Sequence, residues 1–172
     1  MRDGDASPSA ALLRGARMAG VNSCVYLPDS CLTAAIRLFQ DCPDMRMIPC
    51  AREDEGVAIA VGLNLGGRTS LCMMEASGIG YSGLILARAQ AQRTPVVIVA
   101  SHSGGGGEPH DYHSATARVA EGVFRGLGIP HDIASEATPL DRLIFRAVQT
   151  ARGQLTCYGV LIPPFVLTGG KT

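Results

Sequence analysis

Apolar residues recur along this chain in two rhythms. Runs at 21–27, 45–49, 69–74, 95–100 and 157–162 are nearly continuous, whereas the segments between them repeat apolar positions every three or four residues. The continuous runs read as strands and the others as helices. Ser7-Pro8 opens a helix through Met18, because a serine cap and a proline with its fixed φ suit a first turn, and Gly20 stops it. Asp29 or Ser30 caps the next helix, in which Leu32, Ala35, Ile36 and Phe39 form one face. A third helix begins in Arg52-Glu53-Asp54-Glu55 and ends at Gly66-Gly67. Further helices are expected over 79–92, 114–127 and 139–152, with a short strand at 131–133. The run at 95–100 has no polar alternation, which marks a strand covered on both faces. Strand and helix alternate throughout, so the expected fold is α/β, an open parallel sheet flanked by helices on both faces.

The 172 residues fit a single domain spanning 1–172, with 1–7 and 169–172 expected to be flexible ends. Fifteen basic and fifteen acidic residues cancel, which argues against nucleic acid or an anionic membrane as a partner. Apolar residues make up 47% and charged residues only 17%, too little polar surface for a comfortable monomer, so other subunits are expected to cover part of it. No run is long enough to span a membrane, and residues 1–12 lack the apolar stretch of a signal peptide. The six cysteines lie mostly in apolar runs without Cys-x-x-Cys pairing, as expected of free thiols in a reduced cytoplasm.

Chemistry-bearing residues are few. The acidic cluster at 53–55 suits a helix N-terminus, but Gly56, Ala60 and Gly62 behind it are unusual, because glycine weakens a helix interior. Small residues there let a backbone or flat ligand come close, and a carboxylate at the mouth of such a helix is a candidate for proton work. Gly78-Ile79-Gly80-Tyr81-Ser82-Gly83 has the spacing of a dinucleotide fingerprint. It follows the third strand rather than the first, and the next strand ends at Ser101-His102 with no acid for a ribose, so a glycine turn that admits another ligand or chain is the better reading. His102, His110 and His113 flank a loop of four glycines beyond the central strand, where open sheets place ligands. Their spacing with Asp111 is a weak ligand pattern, so no metal is assigned to this chain, and acid/base or substrate-orienting work is the role expected of one of them.

Several segments, in order and at consistent spacing, together resemble the α chain of sulfopyruvate decarboxylase and the matching half of phosphonopyruvate decarboxylase, which are thiamine-diphosphate enzymes. They are Leu27-Pro28-Asp29-Ser30, Arg52-Glu53-Asp54-Glu55-Gly56 with Gly62, Met74-Glu75-Ala76-Ser77-Gly78-Ile79-Gly80, Ile98-Val99-Ala100-Ser101-His102, His113 with Arg118, and Leu127-Gly128-Ile129-Pro130. The resemblance implies a pyrimidine-binding domain in which Glu53, nine residues before Gly62, contacts the aminopyrimidine ring and exchanges a proton with it. It further implies that Ser77, Gly78, Ile79 and Gly80 lie against the cofactor. Ser30, His102 and Arg118 are expected to bind substrate, and His113 to deliver a proton.

The family's other half carries a Gly-Asp-Gly motif and an asparagine that hold Mg2+ and the diphosphate, and this chain has only Gly4-Asp5-Ala6. The resemblance therefore implies a separate β subunit bearing the diphosphate-binding domain, in a hetero-oligomer such as α2β2. Ser103 stands where the family often has arginine, Glu75 where it has glutamine and Tyr81 where it has asparagine. The cofactor class is thus better specified than the 2-oxo acid. Decarboxylation is the leading expectation, acyloin-forming carboligation on the same scaffold the alternative, and a non-catalytic regulatory subunit the alternative of another class.

Overall fold

The computed structural model describes residues 7–104, 108 and 110–169. Helix α1 (Pro8–Met18) starts where the Ser7 Oγ accepts from the Ala10 amide. Then follow β1 (Ser23–Tyr26), α2 (Thr33–Gln40), β2 (Arg46–Pro49), α3 (Glu53–Leu65), β3 (Ser70–Glu75), α4 (Gly78–Ala91) and β4 (Val96–Ser101). The chain continues through α5 (Asp111–Gly126), β5 (His131–Ile133), α6 (Leu140–Gln154), β6 (Cys157–Ile162) and the short α7 (Pro164–Leu167). Every helix and strand read from the periodicity is present. Only α7 was not expected, since one turn after a proline leaves no periodic signature. Of the ends expected to be flexible, 1–6 and 170–172 lie outside the described residues, as do three of the four loop glycines.

All strands are parallel, in the order β2-β1-β3-β4-β6-β5. Alternate side chains of each central strand enter opposite cores, as a period of two requires. Leu71, Met73, Val97, Val99, Val160 and Ile162 meet α1, α2 and α6 on one face. Cys72, Met74, Ile98, Ala100 and Leu161 meet α3, α4 and α5 on the other. The predicted α2 face of Leu32, Ala35, Ile36 and Phe39 is buried in the first core. The six cysteines are free, with Cys24, Cys42, Cys72 and Cys157 buried, and burial pushes the Cys157 thiol up to about 12.

One contact fixes how α5 lies on the sheet. A Cβ placed on Gly159 in β6 would overlap the ring atoms Cδ2, Cε2 and Cζ of the fully buried Phe124. Gly159→Ala is therefore expected to cost ~1–3 kcal/mol through overpacking. The check is a lower urea midpoint at unchanged m-value; an unchanged midpoint would show that Phe124 yields freely.

Gly56 corrects an expectation. Its missing side chain serves this chain's own packing: a Cβ there would lie 2.9 Å from the Cys50 Sγ, 3.3 Å from the Cys72 Sγ and 3.7 Å from a Val25 methyl. Glycine at this position lets α3 settle onto β1 and β3. Gly62 is different, being exposed with no neighbour within 4 Å of a built Cβ.

Candidate functional site

β1 and β3 are neighbours, yet their connections leave in opposite directions: α2 packs on one face and α4 on the other. Such a switch point opens a crevice at the carboxyl ends of the strands. The β1 loop contributes Asp29 and Ser30, and the β3 loop contributes Glu75 and Ser77. Asp29 joins the crevice together. Its Oδ1 accepts from the Leu32 amide at 2.8 Å, shaping the entry to α2, and its Oδ2 accepts from the Ser101 hydroxyl at 3.2 Å at the end of β4. Ser30 is exposed, with its Oγ 4.0 Å from the Cys31 Sγ. Burial is the largest cause raising the Cys31 thiol pKa, and the charge of Asp29 adds to it, followed by those of Glu75 and Glu108. Three carboxylates thus lie near the Cys31 thiol.

Glu53 is the first residue of α3, and Gly78 the first of α4. Their meeting is the closest feature of the site. A Cβ at Gly78 would overlap the Cβ, Cγ and Cδ of Glu53, so only glycine leaves room for this side chain, which lies half-buried against the turn. Next to it the Ser77 hydroxyl donates to Glu75 Oε2, which anchors the turn to the end of β3. The other two residues of the turn expected at the cofactor have neighbours of their own. The Ile79 side chain is fully buried in the core and its amide donates to the Ala76 carbonyl, while a Cβ at Gly80 would lie 2.8 Å from a Val119 methyl on α5. The other acids of the cluster do local work: Asp54 pairs with Arg52 at 3.0 Å, and Glu55 Oε2 accepts from the Ala51 amide at 2.8 Å.

His113, in the first turn of α5, places Nδ1 2.8 Å from Glu108 Oε1. The nearby His113 ring is the largest cause holding the Glu108 carboxyl below its ordinary range. The His113 ring also meets Tyr112 edge-on with centroids 4.4 Å apart.

His102 and Arg118 belong to a different place. Together with Ser114, Glu121, Ser135 and Phe165 they line a cleft of about 490 Å3 beyond β4, β6 and β5, whose lining does not include Ser30, Glu53 or Ser77. His102 is 7% exposed, and its Nε2 lies 3.6 Å from Glu121 Oε1. Burial lowers the pKa of the imidazole, against an upward pull from Glu121. Ser103, where the resembled family often carries arginine, is buried beside it. The structure places Glu53 against the Ser77-Gly78 turn and His102 and Arg118 in a separate cleft. Glu108 and Glu121, which carry no motif in the sequence, meet these histidines: Glu108 meets His113 in α5, and Glu121 meets His102 beyond β4.

The architecture defines an open, doubly wound α/β domain with its crevice at the strand ends. Residues 8–120 match the profile of the thiamine pyrophosphate enzyme N-terminal TPP-binding domain, and the chain belongs to that family. The sulfopyruvate decarboxylase subunit alpha of Methanothermobacter thermautotrophicus is 29% identical over 123 residues, 71% of this chain and 74% of the relative. The subunit alpha of Methanococcus maripaludis is 33% identical over 86 residues, 49% of this chain and 52% of the relative. Among solved structures, a 2-oxoglutarate:ferredoxin oxidoreductase from Magnetococcus marinus, with 2-oxoglutarate, coenzyme A and succinyl-CoA bound, superposes with a TM-score of 0.73 at 14% identity. That similarity of fold covers 94% of this chain but only 29% of the larger one. Among the described residues no helix is long and apolar enough to cross a membrane.

Proposed function

We propose that this chain is the pyrimidine-binding subunit of a two-chain thiamine-diphosphate-dependent 2-oxo acid decarboxylase. The observation that carries the reading is the seating of Glu53 on Gly78 at the mouth of the switch-point crevice. A half-buried carboxylate on a turn that tolerates no side chain suits the edge of a flat heteroaromatic ring. Thiamine diphosphate supplies the nucleophilic carbon and electron sink that loss of carbon dioxide from a 2-oxo acid requires. Glu53 holds and returns a proton at the ring. Ser77 and Gly78 form the floor of the crevice, Ser77 being oriented by Glu75. Ser30 offers an exposed hydroxyl to the substrate. His113 has Nδ1 within 2.8 Å of Glu108, so Nε2 is the nitrogen that would deliver a proton to product.

Mg2+ and the diphosphate belong on a β subunit, in keeping with the naming of both relatives as α subunits. Leu65 on α3 and Tyr81 and Leu84 on α4 are 68%, 71% and 65% exposed, apolar surface of the kind that subunits cover. The test is reconstitution with the product of a neighbouring reading frame that carries a Gly-Asp-Gly motif, in the presence of thiamine diphosphate and Mg2+. Carbon dioxide release from a panel of 2-oxo acids is expected from the mixture and from neither chain alone. Full turnover by the isolated chain, or none by the mixture on any acid, would refute the assignment.

A further inference from the structure

The cleft holding His102 and Arg118 has a chemistry of its own. Its walls are apolar where Ala117, Ile133, Pro163 and Phe165 line it, and its volume of about 490 Å3 suits a small molecule. Ile133, at the end of an edge strand, is 47% exposed toward solvent. Glu121 pairs with Arg125 one turn along α5, and its other oxygen lies 3.6 Å from His102 Nε2. Arg118 is not: it has no carboxylate partner among the described residues. His102 is driven toward its neutral form by burial, and its Nδ1 finds no hydrogen-bond partner among the described residues. An enclosed polar atom without a partner is an unmet demand of the sort that bound ligands or ordered water satisfy.

These features narrow the ligand. A cation would meet Arg118, and a dianion would place its second charge near the Glu121 carboxylate with no second free cation to offset it. A single carboxylate fits, because a guanidinium can take it bidentately while the remainder of the molecule lies on Phe165 and Ile133. We propose that this cleft is a second binding site, separate from the crevice at Glu53, for a small organic monocarboxylate with an apolar body. Another recess, about 370 Å3 between α1 and α6, has no such character, since its Arg14 faces Asp141 and Glu136 adds a further negative charge.

The site does not depend on the thiamine reading, and the experiment separates the two. The full-length chain, labelled with 15N, is titrated with 3-methyl-2-oxobutanoate and, separately, with the neutral 3-methyl-2-butanone, following the backbone amides of Ala117, Ala134 and Ser135 and the Arg118 Nε–H. Saturable shifts are expected for the acid and none for the ketone. Arg118→Gln, an exposed position whose spectrum verifies the fold, is expected to weaken binding ~10-fold or more, as loss of a charge-assisted contact should. Glu53→Gln is expected to leave the titration unchanged. The proposal is overturned by absence of saturation, by an equal response to the ketone, by undiminished binding to Arg118→Gln, or by loss of the shifts in Glu53→Gln.

Discussion

Glu53→Gln is expected to lower turnover of the reconstituted enzyme by ~10²–10⁴-fold, the range over which removal of one positioned proton-transfer group acts. Glutamine has nearly the same shape, so it keeps the packing against Gly78 and the length of α3. What it loses is the ability to take and return a proton. Asp54 and Glu55 remain to complement the positive end of the helix, so the melting temperature should be close to that of the parent. Circular dichroism and thermal melts alongside steady-state rates make the comparison. Undiminished turnover would remove Glu53 from the chemistry, and a collapse of the melting temperature would assign it a structural role instead.

Gly78→Ala approaches the same carboxylate from its other side. Alanine is a better helix former than glycine, so nothing local to α4 opposes the change. The conflict lies across space, where the new Cβ would coincide with the Glu53 side chain. Glu53 must rotate out of its seat, and displacement of a catalytic group by about 1 Å is sufficient to cost ~10²-fold in rate. A cycle with Glu53→Ala isolates the cause. Removing the Glu53 side chain should relieve the strain of Gly78→Ala and bring stability back toward that of Glu53→Ala alone, without restoring turnover. If the two changes are additive in both stability and rate, the contact between them is not what positions the carboxylate.

Much of this could be read from the chain itself. The nearly uninterrupted apolar run at 95–100 became β4, fully buried in the middle of the sheet, because a strand with helices on both sides has no polar face to show. Asp29 does not cap α2, whose N-cap is Leu32 without a side-chain bond, but it turns the chain toward that helix by accepting from the Leu32 amide three residues on. The family resemblance singled out Glu53 from its acidic neighbours. The structure gives Asp54 and Glu55 the local tasks of pairing with Arg52 and capping, which a charge pattern by itself does not distinguish from catalysis.

The less legible part concerns residues far apart in sequence. Gly56 looked like room for a backbone or flat ligand and is filled by the thiols of Cys50 and Cys72. Ile79, expected against the cofactor, sends its side chain into the core, which its place in the turn does not reveal. Ser101, the last residue of β4, turns its hydroxyl toward Asp29, whereas His102, just beyond the strand, reaches Glu121 on α5, so His102 and Arg118 line a cleft that Ser30 does not. A strand's period of two guarantees that adjacent residues face opposite sides, but it does not say which side holds which loop.

The sequence by itself determined the layers of this protein, their order along the chain and the residue types at each strand end, because periodicity, caps and turns act over a few residues. Only the tertiary structure decided that β1 lies between β2 and β3, so that α3 must cross over it to reach β3 and brings Glu53 onto Gly78, twenty-five residues later in the chain. Strand order follows from burying helices on both faces of one sheet at once, and no local pattern encodes that requirement.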